Sequence, residues 1–431
     1  DSWYLKDPKE FIPEDVKCEC GCSEFTKEKD IFDVWFDSGV THLAVLEERE
    51  ELSSPADLYL EGADQYRGWF QSSLLTSVVC NGKAPYKAVC THGWVVDGQG
   101  KTMHKSLGNG IAPNEITDKY GADILRLWVA SSDYHSDIRV SNEILGQLSE
   151  AYKKIRNTAR FILGNLSNQG GFDIKKDYVS DDKLFEIDKW AIMKLDELID
   201  KVNTAYEAFD YHIVFHAIHN FCVIDMSNFY LDILKDRLYC EGVDSASRRA
   251  AQTTIYRILS AISRLIAPIM SFTADEIWAY LPHSADENNE SIFLNDMPEK
   301  SGIEVSDEFK AKWEMVASIR EDAKKALELK RADKVIGASL EANLKVFVDD
   351  DKFDAVSALT EELPSLLIVS AAEVCKDSAN GEYKGDLEGV SFTVTKANGN
   401  KCERCWSYSD TVGKFEDHPT LCERCKNTIA E

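Results

Sequence analysis

Cys402-Glu-Arg-Cys405 is followed, after sixteen intervening residues, by Cys422-Glu-Arg-Cys425. Each Cys-x-x-Cys knuckle points two sulfurs at one place, so two knuckles together present four. Four thiolates in a tetrahedral array suit zinc, whose filled d shell imposes no geometry of its own. The expectation is one structural zinc on Cys402, Cys405, Cys422 and Cys425, holding a tail too short to fold by burial alone. A redox pair or plain surface thiols is the alternative reading. Lys401, Arg404, Arg424 and Lys426 flank these cysteines and read as an exposed basic spot, phosphate-contacting or simply solvated. Cys18-Glu-Cys20-Gly-Cys22 crowds three more sulfurs without a second knuckle nearby, so a second zinc there and none are equally weighted.

A second candidate is Asp97-Gly-Gln-Gly-Lys-Thr-Met-His-Lys-Ser-Leu-Gly-Asn109, a Gly-rich turn directly after an apolar strand. Glycines let the backbone approach a polyphosphate, Lys105 offers a movable point charge, and Ser106 a hydroxyl. The spacing fits neither a Walker loop nor a dinucleotide fingerprint, and taken alone such a stretch is more often a plain basic surface loop. A third is Lys153, Arg156 and Arg160, at i, i+3 and i+7 on a helix whose opposite side is apolar. Such a stripe contacts phosphates or is solvated.

The elements that must carry these groups follow from hydrophobic periodicity. Short apolar runs at 58–60, 88–90 and 93–96 alternate with helix-like stretches at 68–79 and 113–131, the pattern of a parallel sheet with crossover helices. From about 141 the period becomes helical: Leu145, Leu148, Tyr152, Ile155, Ala159, Ile162 and Leu166 form one stripe. Further helices are expected at 181–209, 212–238 and 247–266, with Thr273-Ala-Asp-Glu276 as a capping box opening another. Long helices on short connections imply an antiparallel bundle. Residues 284–308 read as an acidic linker, 309–331 as a helix, and 344–348 and 392–394 as strands.

Composition narrows the function classes. The chain has 431 residues, and 49 Lys+Arg against 75 Asp+Glu leave a formal charge of −26. That acidity opposes a polybasic membrane surface but not a local basic face for nucleic acid. No apolar run is long enough to span a bilayer, and clustered cysteines without an export signal point to a reducing, cytoplasmic setting.

The loop Thr102-Met-His-Lys-Ser106 resembles the K-M-S-K-S signature of class I aminoacyl-tRNA synthetases. Asp33-Val-Trp-Phe-Asp-Ser-Gly39 and Glu61-Gly-Ala-Asp-Gln-Tyr-Arg-Gly-Trp-Phe70 are similar to blocks of isoleucyl-tRNA synthetases rather than their valyl or leucyl relatives. So are Gly121-Ala-Asp-Ile-Leu-Arg-Leu-Trp-Val129, Lys154-Ile-Arg-Asn-Thr-Ala-Arg160, Ala267-Pro-Ile-Met-Ser-Phe-Thr-Ala-Asp-Glu276 and the four-Cys tail. The resemblance runs along the whole chain, in order. It implies a bacterial-type C-terminal portion that lacks the first Rossmann half, its H-I-G-H block and most of the editing insertion.

The implied fold is a partial Rossmann-type α/β catalytic half, then an all-α bundle, then a small zinc ribbon. Implied segments are the end of the insertion (1–52), the catalytic half with the signature loop (53–141), an anticodon-binding bundle (142–300), a junction (301–390) and the ribbon (391–431). The implied activity is ATP-dependent activation of L-isoleucine, with magnesium accompanying ATP, and transfer to tRNA(Ile) by a monomer with no membrane partner. By motif position Lys105 is the catalytic cation, with Met103, His104 and Ser106 beside it at ATP. Glu61, Gly62, Asp64 and Gln65 would hold the aminoacyl-adenylate, Trp35 and Trp69 would wall its pocket or serve as core, and Lys153, Arg156 and Arg160 would meet tRNA. Arg248 and Arg249 would extend that track. Thr102 and His104 depart from the motif's first Lys and middle Ser, which implies weaker ATP binding. The competing expectations are a tRNA-holding segment without activity of its own, and a valyl- or leucyl-type enzyme.

Overall fold

The computed structural model describes residues 2–167 and 171–430, apart from the side chains of Lys105 and Ala430. It divides into two compact units. One comprises the residues through Val96 with Tyr134–Ile138; the other comprises Asp97–Asp133 with Arg139 onward.

The first unit is built on β1 (Ala56–Gly62) and β2 (Tyr86–His92), paired in parallel so that Leu58 faces Ala88 and Gly62 faces His92. The helix Trp69–Asn81 makes the crossover and stops at Gly82, whose φ of +68° a side chain would oppose. Tyr59 anchors this layer: its ring stacks on Trp69 at 4.2 Å, and its hydroxyl lies 2.9 Å from Ser73 Oγ. Beyond it, β3 (Val95–Asp97) runs toward the signature loop, and β4 (Ile138–Val140) begins with Ile138 N–H bonded to the Trp94 carbonyl.

In the second unit the expected helix at 113–131 is two, Pro113–Tyr120 and Ala122–Ala130, divided at Gly121 with φ +92°. The stripe from Leu145 becomes the helix Asn142–Leu166, started by the Ser141 hydroxyl accepting Ile144 N–H at 3.2 Å. Its Leu145, Ile155, Ala159, Ile162 and Leu166 are buried. The helices Glu186–Glu207 and Ala246–Ile266 complete the bundle, the latter buried on nearly every side.

Two local expectations fail instructively. The helix expected at 212–238 is Tyr211–Asn220 and Leu231–Cys240 joined by a π-helical stretch, Phe221–Tyr230. There the Cys222 carbonyl accepts from Thr158 Oγ1 at 3.4 Å, as a widened turn permits. Thr273 does not cap a helix; it sits inside Ser271–Tyr280, and the cap comes from Asp123. A buried Asp188–Arg237 pair (both bonds 2.8 Å), joined by the Tyr230 hydroxyl at 2.7 Å, ties Glu186–Glu207 to Leu231–Cys240.

The acidic stretch 284–308 is irregular but pinned. Glu287 accepts from Tyr256 and Ser260 at 2.9 and 2.8 Å, and Asp196 accepts from Ser301 N–H at 2.8 Å. After the helix Asp307–Ala332 comes a four-stranded sheet in the order β6-β5-β8-β7, the strands being Ala342–Val348 (β5), Ala371–Lys376 (β6), Tyr383–Lys384 (β7) and Val390–Lys396 (β8). β5 is parallel to β6 and antiparallel to β8, and its alternate residues join a hydrophobic core continuous with that of the bundle. Among the described residues no helix is long and apolar enough to cross a membrane.

Candidate functional site

Glu61, Gly62, Asp64 and Gln65 occupy the carboxyl end of β1 and the 3₁₀ turn Ala63–Arg67 that follows. The crevice outside the carboxyl ends of parallel strands is where open α/β sheets bind ligands. Gln65 is fixed from both ends: its Nε2–H donates to Asp64 at 3.0 Å, and its Oε1 accepts Trp69 N–H at 2.9 Å. Gly62 is buried, and a Cβ there would sit 2.7 Å from Asp64 Oδ1 and 3.4 Å from the His92 ring. Glu61 and Asp64 are exposed. The arrangement presents two carboxylates and an oriented amide, suited to an ammonium group and sugar hydroxyls. Trp69 packs on Tyr59 and donates its indole N–H to the Ser38 carbonyl at 2.9 Å, a core role; Trp35 is exposed.

The signature loop lies in the second unit. Met103 is half-buried, while Thr102, His104 and Ser106 are exposed. The Lys105–Leu107 stretch forms one 3₁₀ turn; the side chain of Lys105 lies outside the described residues. The loop's base is closed by Asp97 and Asn109. Asp97 Oδ1 accepts the N–H groups of Gln99 and Lys101, both at 2.9 Å, and its Oδ2 accepts Asn109 Nδ2–H at 2.9 Å. Asn109 and the backbone N–H of Lys101 and Gln99 hold the Asp97 carboxyl below its usual range.

Lys153, Arg156 and Arg160 all emerge on the exposed face of Asn142–Leu166, and Lys153 pairs with Glu150 at 2.6 Å. Of the other expected cations, Arg248 is half-buried. Arg249 turns inward to Asp177 at 3.3 Å and Asp244 at 3.2 Å.

The four tail cysteines converge. All four are buried, and their sulfurs lie within 4.8 Å of one another, with Cys405 and Cys422 3.7 Å apart. Zinc–sulfur bonds of about 2.3 Å put tetrahedral sulfurs about 3.8 Å apart, so the residues fit the ion. Two local features shape the knuckles. Trp406 adopts φ +66° while its N–H bonds the Cys402 carbonyl at 2.9 Å. Gly399 (φ +81°) admits the Ser409 carbonyl, which a Cβ would meet at 2.4 Å. Burial raises the thiols of Cys422 and Cys425, the latter to about 12. At Cys402 burial also raises the thiol, but it is outweighed by backbone N–H donors from Cys405, Cys422 and Arg404, which bring it down to about 6. A bound divalent cation would complete the deprotonation.

The basic spot expected around these cysteines is largely consumed in docking. Arg424 grips Asp236 bidentately at 2.6 and 2.7 Å, Arg404 donates to the Cys240 carbonyl, and Lys426 pairs with Asp417 at 3.7 Å. Asp236 and Cys240 are far upstream, which is why flanking sequence did not reveal this. Cys18, Cys20 and Cys22 are exposed and, among the described residues, form no comparable cluster.

Comparison with known proteins agrees with this architecture. Residues 1–141 match the family of class I tRNA synthetases (I, L, M and V), residues 188–346 the anticodon-binding domain of tRNA ligase, and residues 399–427 the zinc finger found in FPG and IleRS. The isoleucine–tRNA ligase of Syntrophotalea carbinolica is 53% identical over 100% of this chain and 46% of its own length. Those of Thermoanaerobacter sp. (48%) and Caldicellulosiruptor bescii (51%) match over the same shares. The LeuRS of Agrobacterium radiobacter K84, solved as a ternary complex with tRNA and LeuAMS, shares the fold with TM-score 0.50 at 15% identity, over 89% of this chain and 44% of that one. The chain thus spans about half the length of the curated relatives it matches. Along its whole length the chain is similar to isoleucine–tRNA ligases, and its matched regions comprise a partial class I catalytic domain, a helical anticodon-binding region and a four-cysteine zinc finger.

Proposed function

We propose that this chain supplies part of an isoleucine–tRNA ligase, which joins L-isoleucine to ATP as isoleucyl-adenylate and then transfers the acyl group to tRNA(Ile). The observation that carries the reading is identity of 53% sustained over the entire chain with a protein of that name. In the first step a carboxylate oxygen of isoleucine attacks the α-phosphorus and pyrophosphate leaves, with magnesium on the nucleotide. Such a displacement needs positioning and charge neutralisation more than covalent help. Lys105 meets the phosphates, Met103, His104 and Ser106 line the nucleotide beside it, and the loop opens after pyrophosphate departs. Glu61, Gly62, Asp64 and Gln65 hold the ammonium and ribose of the adenylate.

Lys153, Arg156 and Arg160 contact the tRNA backbone, a reading supported by their common exposed face. The protein acts as a cytoplasmic monomer without a membrane partner; twelve free cysteines support a reducing compartment. By the same reading the boundaries fall at 52/53, 141/142, 300/301 and 390/391.

Isoleucine-dependent ATP–pyrophosphate exchange by the complete reading frame tests the activity. Exchange driven instead by valine or leucine would replace the substrate assignment. Because the chain spans 46% of its relatives, a second reading applies to it in isolation: tRNA binding without exchange. That binding should weaken with salt, and alanine at Lys153, Arg156 or Arg160 should each lower the salt slope by about 1. Unchanged slopes would remove these three from the interface.

A further inference from the structure

Two side chains outside the assigned nucleotide contacts organise the signature loop. Asp97, the last residue of β3, spends its carboxylate on three N–H donors: Gln99 and Lys101 of the backbone, and the side chain of Asn109, each at 2.9 Å. Its own N–H reaches the Lys101 carbonyl, also at 2.9 Å, so the incoming strand and the first turn are locked together. Asn109, at the far end, uses both halves of its amide. Its Nδ2 donates to Asp97 and to the Thr102 carbonyl at 3.2 Å, and its Oδ1 accepts the His104 N–H at 3.0 Å. An amide meets this mixed demand because it donates and accepts at once. Between the two anchors the Leu107 N–H bonds the His104 carbonyl at 3.0 Å, one tight turn.

We propose that Asp97 and Asn109 are the positioning residues of the nucleotide loop, a clip that joins its two ends so that residues 102–108 move as one flap of fixed span. The inference rests on the ATP-dependent reading above and deepens it. Neither residue needs to touch nucleotide. The clip sets where the flap's cation and amides stand when charge develops on the phosphates, and a misplacement of about 1 Å in such groups can cost on the order of a hundredfold in rate. Asp97 is kept ionised by its N–H partners, so the clip holds across the neutral range.

A charge exchange tests it in the complete reading frame. Asn109→Asp places a second carboxylate against Asp97 and removes the donor to Thr102. Its kcat for isoleucine-dependent ATP–pyrophosphate exchange should fall about ten- to a hundredfold, while KM for isoleucine stays within about twofold. Adding Asp97→Asn restores one donor–acceptor pair, and the double variant should recover most of the loss. Trypsin cleavage after Lys101, without nucleotide, should quicken in Asn109→Asp and slow again in the double variant. Wild-type kcat and cleavage in Asn109→Asp, or a double variant no better than the single, would overturn the proposal. If the unaltered protein shows no isoleucine-dependent exchange, the ligase reading fails, and the cleavage series still decides whether the clip exists.

Discussion

Asp123 and Thr273 meet across 150 positions of chain: Asp123 Oδ2 accepts the Thr273 N–H at 2.7 Å and its hydroxyl at 2.6 Å. Asp123 Oδ1 takes the Phe272 N–H at 3.2 Å, and the Tyr152 hydroxyl reaches Thr273 Oγ1 at 2.9 Å. One carboxylate on Ala122–Ala130, the second helix after the signature loop, therefore satisfies the open end of a bundle helix. Beside it, Arg126 donates to the Ile269 and Pro268 carbonyls at 2.9 and 2.7 Å.

Asp123 is 7% exposed, so alanine there leaves two helix N–H groups without a partner and away from water. The expected cost is about 2–3 kcal/mol of stability in the second unit, with Asn costing about 1 kcal/mol less because it still accepts. Urea unfolding followed by far-ultraviolet dichroism measures it. A loss below about 0.5 kcal/mol for Asp123→Ala would mean another group caps this helix.

The helix cap also marks the limit of what the chain's order reveals. The four cysteines were legible because the ligand set is written in two short knuckles. The bundle was legible because its apolar stripes are local. Asp123 as a cap was not, since the Thr-x-x-Glu pattern gave a local answer that a distant carboxylate displaced. Arg424 and Asp236, 188 positions apart, are likewise joined only by folding. β5 and β8 stood out by apolar alternation, whereas β6 has no buried residue and β7 has two residues, too few to show a period. Spacing alone did not single out Glu61, Asp64 or Gln65; the family resemblance pointed to them, and the end of β1 explains their setting.

The tail should carry one tightly held zinc per chain. Cys402→Ser or Cys425→Ser should release it and unfold the ribbon, because the cluster's buried contacts are chiefly the sulfurs themselves. Elemental analysis of the purified protein reads the first outcome, and proteolysis within 399–427 the second. Two ions per chain would instead bring the Cys18 group into play. A ribbon that stays protease-resistant without metal would show that docking through Arg424 and Arg404 is enough to fold it.

His42 gives the first unit an acid limit. It is 1% exposed, its Nε2 lies 3.1 Å from Thr76 Oγ1, and its Nδ1 has no partner. Burial lowers its pKa, only partly opposed by Glu47. The folded value therefore lies below the unfolded one, near 6.5. Above that pH both states are neutral and the stability is fully present. As pH falls below it, the unfolded chain takes up a proton that the folded chain resists, and stability is lost down to the folded pKa. Amide exchange in the helix Trp69–Asn81 should accelerate from pH 7.5 to 5.0 beyond the intrinsic rate change. His42→Gln, which cannot titrate, should flatten that dependence. Parallel profiles for the two proteins would exclude His42 as the source.

Thr102 stands where the synthetase signature carries its first lysine. Its side chain is exposed and takes no part in the Asp97–Asn109 clip, which uses only the Thr102 carbonyl. Lysine can therefore enter without disturbing the loop's base. A second cation beside the phosphates, on a solvent-exposed loop, contributes about 1 kcal/mol rather than the larger figure of a buried pair. At about 1.4 kcal/mol per tenfold, Thr102→Lys in the complete reading frame should lower KM for ATP about fivefold. KM for isoleucine should not change, because that amino acid is assigned to residues at the end of β1 and on the turn that follows. Exchange kinetics at varied ATP separates the two. An unaltered KM for ATP would mean either that this loop position does not face the nucleotide or that His104 already supplies the missing charge. Repeating the titration with Thr102→Lys in a His104→Ser background distinguishes them, since a gain appearing only there assigns the compensating role to His104.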